Sequence, residues 1–154
     1  MIQEAFEYSE KYGTPVFLRP TTRVCHGYAS IMVKDETEYT HHQPEGFIKD
    51  SKRWVIFPRL SFMNHKKIEA RNQELSDIFS SYEKNTIHPS CDAFKDSKKG
   101  IATGGISYTY TMETLKKTGM VKTLKIATPH PFPEKLAVDF LSGLDEVLCL
   151  EELD

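Results

Sequence analysis

The sequence predicts an α/β domain built on a parallel sheet with flanking helices, from Asp92 to Asp154, preceded by a helical connector. Two observations predict it. Short apolar runs alternate with stretches of helical periodicity in the last third of the chain, in the order strand–helix–strand–helix–strand. Glycine or proline stands at most of the boundaries between them, and the loops are short. This order favours parallel strands, because a parallel pair needs a crossover connection that is usually a helix.

The predicted elements of this domain follow from local signals. The run 100–103 is a small buried strand, and the helix after it spans about 107–117 with Gly119 as its C-terminal cap. A strand at 120–128 ends at Pro129, and Pro133 stands at the first position of the next helix. The last strand is Glu146–Leu150. The core is expected to contain Ile101, Ile106, Leu115, Leu124, Ile126, Leu136, Phe140, Val147 and Leu148.

Residues 1–33 carry a separate unit. Helix formers from Glu4 to Tyr12 are followed by Gly13 and then by an apolar strand, 16–19, that stops at Pro20. One helix and one strand cannot bury both of their faces. We therefore expect the strand to pair with a second copy of the chain or to dock onto the C-terminal domain.

Residues 34–91 form the predicted connector. The stretch 34–51 has no hydrophobic periodicity, and 54–57 is expected as a short strand or an extended anchor that ends at Pro58. Ile68, Leu75, Ile78, Phe79 and Tyr82 then make one apolar stripe. The stripe predicts a helix over about 62–82 that packs on the C-terminal domain.

Composition excludes several classes of partner. The 154 residues are 39% hydrophobic and carry a net charge of −2, with basic and acidic residues interspersed, which disfavours nucleic acid and anionic membranes as partners. No apolar run approaches the roughly 20 residues of a membrane-spanning helix. Acidic residues near the N-terminus, Glu4 and Glu7, are unlike a signal peptide, so a cytoplasmic location is expected.

Cysteines and histidines are scattered in a way that disfavours a metal site. Three cysteines stand far apart without a CxxC pair, which argues against disulfides, zinc and iron–sulfur clusters. The histidines show no HxxxH or HExxH spacing, and the Cys25-His26 pair has adjacent side chains that rarely reach the geometry of a nucleophile and its base. The residues in question are Cys25, Cys91, Cys149, His26, His41, His42, His65, His88 and His130.

Three further features have both a functional and a structural interpretation. Gly104-Gly105 could bind an anion at a helix N-terminus, but GxGxxG and the P-loop pattern are absent, which favours a tight turn. The rigid segment 129–133 could present a recognition surface, although a shaped connection is favoured. Glu151 and Glu152 could form a paired-carboxylate site, but a solvated strand end is favoured.

Several stretches resemble a known family. Residues 6–26, from Phe6-Glu7-Tyr8 to Arg23-Val24-Cys25-His26, resemble the end of the pyrimidine-binding domain of the indolepyruvate:ferredoxin oxidoreductase large subunit. Residues 52–58 resemble the connector that follows. The stretches 100–107, 124–136 and 144–154 resemble the next domain, which has the transketolase C-terminal fold. The match covers nearly the whole chain in the family's order and is weakest over 34–51. It implies three sections: 1–33, 34–91 and 92–154.

The resemblance implies a role in the oxidative decarboxylation of an aryl pyruvate to an acyl-coenzyme A, with electrons passed to ferredoxin. In the complete enzyme, thiamine diphosphate is the carbanion sink, magnesium holds its diphosphate, and iron–sulfur clusters carry the electrons. The partners implied are the remaining domains of the large subunit, the small subunit, ferredoxin and coenzyme A, with a homodimer as a further option.

This chain departs from the family pattern in its catalytic residues. It has no GDG motif, no ferredoxin-type cysteine run and no domain to supply the glutamate that activates the pyrimidine. No residue is therefore predicted to be catalytic, cofactor-binding or metal-binding. The sequence predicts a scaffolding region of the oxidoreductase that is inactive alone. The alternative is a stand-alone interaction or small-anion-binding module with a transketolase C-terminal fold.

Overall fold

The computed structural model describes residues 2–39, 43–44 and 46–152, and for Arg23 the backbone alone. The described elements are, in chain order, α1 (Ile2–Tyr12), α2 (Thr22–Cys25), α3 (Ser51–Trp54), α4 (Pro58–Ser80), β1 (Thr86–His88), β2 (Lys99–Gly104), α5 (Gly105–Thr118), β3 (Lys122–Ile126), α6 (Glu134–Leu141) and β4 (Glu146–Leu150). Single 3₁₀ turns lie at Glu36–Glu38 and Asp92–Phe94.

The four strands form one sheet in the order β1-β3-β2-β4. β2 pairs in parallel with both β3 and β4, which confirms the parallel sheet predicted for the last third of the chain. β1 pairs antiparallel with β3 at the opposite edge and was not predicted. The fold class is therefore α/β with flanking helices, consistent with a transketolase C-terminal fold.

The two crossover helices cover opposite faces of this sheet. Leu124, Ala137 and Phe140 form the core between α6 and one face. On the other face, Leu115 of α5 lies next to Ile101 of β2. Two crossover connections of the same hand place their helices on opposite faces of the sheet when the second connection runs back across the first strand.

Close packing at Gly100 explains why a glycine opens β2. A methyl group there would lie 2.6 Å from Leu144 Cδ1 and 2.8 Å from Phe140 Cζ. Lys122 closes the same layer, since its Nζ donates hydrogen bonds to the carbonyls of Asp139, Phe140 and Ser142 at the end of α6. A cation that satisfies terminal helix carbonyls stabilises the helix end.

The predicted core is partly correct. Leu115, Leu124 and Phe140 are buried, and Ile126, Leu136 and Val147 pack against the cluster as half-buried side chains. Ile101 and Ile106 are half-buried. Leu148 is 56% exposed, so its placement in the core is wrong. The reason is positional: Leu148 lies on the edge strand β4, where α5 leaves the sheet face uncovered.

The N-terminal strand prediction is wrong. Residues 14–20 have no regular secondary structure, Phe17 is 89% exposed, and no described strand lies beside them. A strand exists only where a neighbour satisfies its backbone groups. Docking of this segment onto the C-terminal domain is not observed, whereas pairing with a second copy stays a prediction. The helix before it is confirmed, and Gly13 at φ 55° ends it.

The connector also differs from expectation in detail. Trp54 ends the one-turn helix α3, while Val55 and Phe57 are extended as predicted. α4 begins at Pro58, four residues before the predicted start, because a proline fits the first turn of a helix. It packs on α6, which confirms that contact with the C-terminal domain.

The division into sections 1–33, 34–91 and 92–154 stays a prediction, and β1 lies within the second section.

Candidate functional site

The carboxyl ends of the parallel strands are where α/β proteins usually bind ligands. Gly104 and Gly105 lie there, between β2 and α5. A methyl group at Gly104 would be 2.7 Å from the carbonyl oxygen of Ile126, and Gly105 has φ 53°. The turn therefore needs glycine for backbone reasons alone.

A carboxylate from the end of β4 stands beside this turn. Oε2 of Glu152 lies 3.9 Å from the position that a Cβ of Gly105 would take. The N-terminus of a helix favours a negative charge, and here the protein's own side chain supplies it. This arrangement favours the structural interpretation of Gly104-Gly105.

Asn85 connects α4 to the end of β3, and its role was missed from the sequence. It is 6% exposed. Its Oδ1 accepts from the backbone N–H groups of Ala127 and Thr128 at 2.7 and 3.2 Å, and its Nδ2 donates to the Phe79 carbonyl and to Thr128 Oγ1. All four bonding positions of the amide are used, so Asn85 is a structural clamp. An isolated asparagine at a helix end gave no signal for it.

His88 is the one scattered histidine that contacts a second ionisable side chain on another element within the described residues. Its Nε2 lies 3.0 Å from the hydroxyl of Tyr108, and the Nζ of Lys125 lies 4.7 Å from the centre of the Tyr108 ring. These contacts join β1, α5 and β3. His65 pairs with Glu69 on the same helix, and His41 and His42 lie outside the described residues.

A second ionic cluster holds α1 against the end of α4. Lys84 Nζ lies 2.6 Å from Glu4 Oε1, to which the Tyr82 hydroxyl also donates at 3.1 Å. The hydrogen bond from Lys84 is the largest cause that lowers the pKa of Glu4, to about 2. The same bond raises the pKa of Lys84, and burial raises the pKa of Tyr82. The charges neutralise each other and serve the contact between helices.

Two open grooves border the edge strand β4. One, of about 550 Å³, contains Lys99 and Glu146, whose side chains pair with each other at 2.8 Å. The other, of about 410 Å³, lies between α5 and β4. It is lined by Ile101, Leu148 and Leu150 of the strands, by Ser107, Tyr110, Thr111, Thr114 and Leu115 of α5, and by Glu151.

Metal-ligand groups do not converge in the part of the chain that the structure describes. No set of three histidine, cysteine, aspartate or glutamate side chains there could hold a metal ion. Cys25 and Cys149 are exposed and Cys91 is half-buried, all as free thiols. The prediction that this chain has no catalytic, cofactor-binding or metal-binding residue stays a prediction.

The exposed apolar surface is the largest feature that sequence reasoning did not assign. It is concentrated before residue 69 and includes Phe47, Ile56, Phe57 and Phe62, each more than 60% exposed. Large exposed apolar patches mark interaction sites. In the described residues, no helix is long and apolar enough to cross a membrane.

Comparison with known proteins identifies relatives of this chain. The chain is 35% identical over 155 residues to indolepyruvate oxidoreductase subunit IorA of Methanothermobacter thermautotrophicus, covering 99% of this chain and 24% of that protein. The IorA subunits of Pyrococcus abyssi and Archaeoglobus fulgidus are 35% and 29% identical, over 100% and 97% of this chain and 24% and 23% of theirs. The family resemblance is confirmed. The chain is homologous to an internal section of the oxidoreductase large subunit.

The similarity has a clear extent. This chain spans about a quarter of the length of the IorA proteins that it matches. No protein-family profile matches it, and no solved structure matches it. The relatives are named as subunits of an oxidoreductase.

Proposed function

We propose that this chain is a non-catalytic scaffolding region of a thiamine-diphosphate-dependent indolepyruvate (or other aryl pyruvate):ferredoxin oxidoreductase in the cytoplasm. The complete enzyme would decarboxylate the 2-oxoacid oxidatively and form an acyl-coenzyme A. The observation that supports this is the alignment of 97–100% of the chain with about a quarter of IorA. Its partners would be the other domains of the large subunit, a small subunit and ferredoxin.

The local chemistry of the described residues supports a scaffolding role. Several close contacts between ionisable side chains hold neighbouring parts of the chain together. Lys84–Glu4 joins α4's end to α1, His88–Tyr108 joins β1 to α5, and Lys99–Glu146 joins neighbouring strands. Such pairs stabilise the fold.

The residues present do not fit thiamine diphosphate with magnesium. A diphosphate needs a cation held by protein oxygens or an array of free backbone N–H groups. The glycine turn at the start of α5 faces the carboxylate of Glu152, which would repel a diphosphate. The same carboxylate disfavours the alternative of a small-anion-binding module at this turn. No catalytic step is therefore assigned to residues of this chain.

Titration and a chimera test the two parts of this proposal. Isothermal titration of the purified chain with thiamine diphosphate and Mg²⁺ should show no saturable binding, and micromolar binding would refute the scaffolding role. In the chimera, this chain replaces the homologous quarter of M. thermautotrophicus IorA. With the remaining subunits it should support indolepyruvate-dependent reduction of ferredoxin. A folded chimera without turnover, beside an active unaltered enzyme, would refute membership in that catalytic assembly.

A further inference from the structure

Residues 46–68 carry exposed apolar side chains interspersed with basic ones; we call this exposed stretch the aromatic–basic surface and its lysines and arginines the basic rim. Its most exposed apolar side chains are between 47% and 85% exposed: Phe47, Trp54, Ile56, Phe57, Phe62 and Met63. Ile48, Val55 and Ile68 are less exposed, at 39% to 45%. Six lysine or arginine residues and a single acid, Asp50, lie in the same stretch, and all seven are exposed. Isolated exposed apolar residues are normal, but a contiguous group of large ones marks an interface.

The helix α4 carries part of this surface in its first half and is buried in its second half. Ile68 lies about two turns before Leu75 on the same side of α4, whereas Phe62 and Met63 lie more than about 100° around the helix from Leu75. Leu75 is 5% exposed where α4 meets the rest of the fold, whereas Ile68 is 39% exposed. The helix is therefore covered at Leu75 and exposed around Phe62, Met63 and Ile68.

A second copy of the chain is a poor occupant for electrostatic reasons. A two-fold interface places the same patch on both sides of the contact. The basic residues of the stretch would then face a second basic patch, with Asp50 and the neighbouring Glu69, which pairs with His65, as the nearby acids to offset them. Like charges brought together at an interface are destabilising. The basic rim instead fits a partner with an apolar centre and acidic residues around it.

Nucleic acid is a poor occupant because the aromatic rings are already in use. The guanidinium of Arg53 lies 4.6 Å from the Trp54 ring centre, and Phe47 stacks on Trp54 with ring centres 6.5 Å apart. The Nζ of Lys66 lies 4.7 Å from the Phe62 ring centre. Single-stranded nucleic acid binding relies on ring faces that are open to stacking bases.

We infer that the aromatic–basic surface is the docking surface for the part of the oxidoreductase large subunit that this chain does not match, an acid-rimmed apolar surface on a neighbouring domain. The inference rests on the proposed function and deepens it by assigning the contact. The relatives are about four times as long as the matched section, so most of the subunit lies outside it. The surface would lose water at its apolar centre and pair its lysines and arginines at the rim.

Hydroxyl-radical footprinting of the chimera with M. thermautotrophicus IorA tests the inference. Labelling of Trp54, Phe62 and Met63 is measured in this chain alone and in the chimera. We expect it to fall about fivefold or more in the chimera, because an interface core excludes water. Unchanged labelling in a folded chimera would overturn the inference. So would a chimera that does not fold while the unaltered relative, produced in parallel, does.

Charge reversal tests the basic rim. Lys66→Glu with Lys67→Glu should restore at least about half of the lost labelling, because repulsion from an acidic partner opens the contact. The matched control is Lys116→Glu with Lys117→Glu, an equally exposed adjacent pair on α5. It should leave the footprint unchanged. Equal effects of the two pairs would show that net charge alone matters and would overturn the assigned surface.

The other occupants are outcomes of two simple measurements on this chain alone. A concentration-dependent dimer in analytical ultracentrifugation, with Met63 protected, would assign the surface to a second copy and overturn the inference. Binding of a fluorescent single-stranded oligonucleotide at physiological salt, lost on Lys66→Glu with Lys67→Glu, would do the same for nucleic acid. If Trp54, Phe62 and Met63 are protected in the chimera but the chimera does not turn over, the proposed function is refuted and the docking surface is retained. If the chimera turns over but these residues are not protected, the docking surface is refuted and the proposed function is retained.

Discussion

Large apolar side chains are mostly exposed in the N-terminal part of the chain and mostly covered in the C-terminal part. Of the 26 large exposed hydrophobic side chains in the described residues, 20 lie at or before Ile68. Phe17 and Met32 are 89% and 99% exposed, whereas Leu124 and Phe140 in the sheet layer are 2% and 1% exposed. The C-terminal unit closes a core with its own strands and helices, while the first 68 residues leave most of their large apolar side chains exposed.

Within the N-terminal third, the helix α1 is held against the rest of the chain by specific contacts. The Arg71 guanidinium donates to the carbonyls of Tyr12 and Gly13 at 3.4 and 3.1 Å and so caps the end of α1. Tyr8 packs on Phe79 with ring centres 5.6 Å apart. These contacts all go to α4 and its end. They fix one helix but bury none of the large side chains between Val16 and Phe57, which need a partner.

The largest expected effect on stability comes from the loss of the Phe140 side chain, which lies in the better-packed C-terminal unit. Phe140→Ala removes the most buried large side chain of the core and should lower the free energy of unfolding by about 3–5 kcal/mol. Urea denaturation followed by circular dichroism measures it. Val138→Ala on the same helix, 68% exposed, is the control and should change stability by less than about 0.5 kcal/mol. Similar losses for both would show that α6 does not form the core.

A somewhat smaller effect is expected at Asn85, which ties α4 to the sheet. Asn85→Ala leaves the buried N–H groups of Ala127 and Thr128 without their acceptor, and it should lower the free energy of unfolding by about 1–3 kcal/mol. The same substitution at the half-buried Asn72 of α4 is the matched control and should have a smaller effect. Amide hydrogen exchange at Ala127 and Thr128 locates the change. Unaltered exchange at those two amides would contradict the clamp.

The sequence predicted the C-terminal unit better than the rest for a physical reason. Its strands and helices bury one face each against neighbours close in the chain, so periodicity and glycine or proline boundaries specify them. β1 was missed because Thr86–His88 is three residues long and exists only through its pairing with β3. The exposure of Leu148 depends on how far α5 covers the sheet towards the edge strand β4. A local sequence pattern does not predict that.

The N-terminal strand shows the opposite error. Val16–Leu18 has the composition of a buried strand, but composition specifies a strand only when a neighbour is present. The candidate surface was half visible in the sequence: the 54–57 run and the stripe of the 62–82 helix were recognised as apolar. Whether that stripe was covered could not be predicted, because Ile68 and Leu75 belong to the same periodic pattern and differ only in their surroundings.

The attachment of α1 should depend on pH. The pKa of Glu4 is lowered from 4.5 to about 2, so its ionised form favours the docked state. This stabilisation is present above about 4.5 and is lost as pH falls from there towards 2. Glu4→Gln should loosen α1 at neutral pH, with the sheet unchanged. Chemical shifts of α1 amides against those of β3 measure both effects, and Glu10→Gln is the control. Identical titrations of α1 in the wild type and Glu4→Gln would contradict this role.

The smallest effect is expected at Phe17, and it tests whether the N-terminal third is uncovered in solution. The side chain is 89% exposed and has no strand beside it, so Phe17→Ser should change the free energy of unfolding by less than about 0.5 kcal/mol. The same urea denaturation measures it, with light scattering for mass. If a second copy pairs with residues 16–18 instead, removal of the phenyl ring would weaken that pairing. The wild type would then scatter as a dimer, Phe17→Ser would shift it towards the monomer, and the unfolding midpoint would fall with it. Arg19→Ser, a change in the same exposed segment that leaves the ring in place, separates loss of the apolar contact from a general effect of substitution. If the wild type is monomeric and Phe17→Ser leaves the unfolding midpoint unchanged, neither this chain nor a second copy covers these exposed apolar side chains. Their partner would then be a different protein segment.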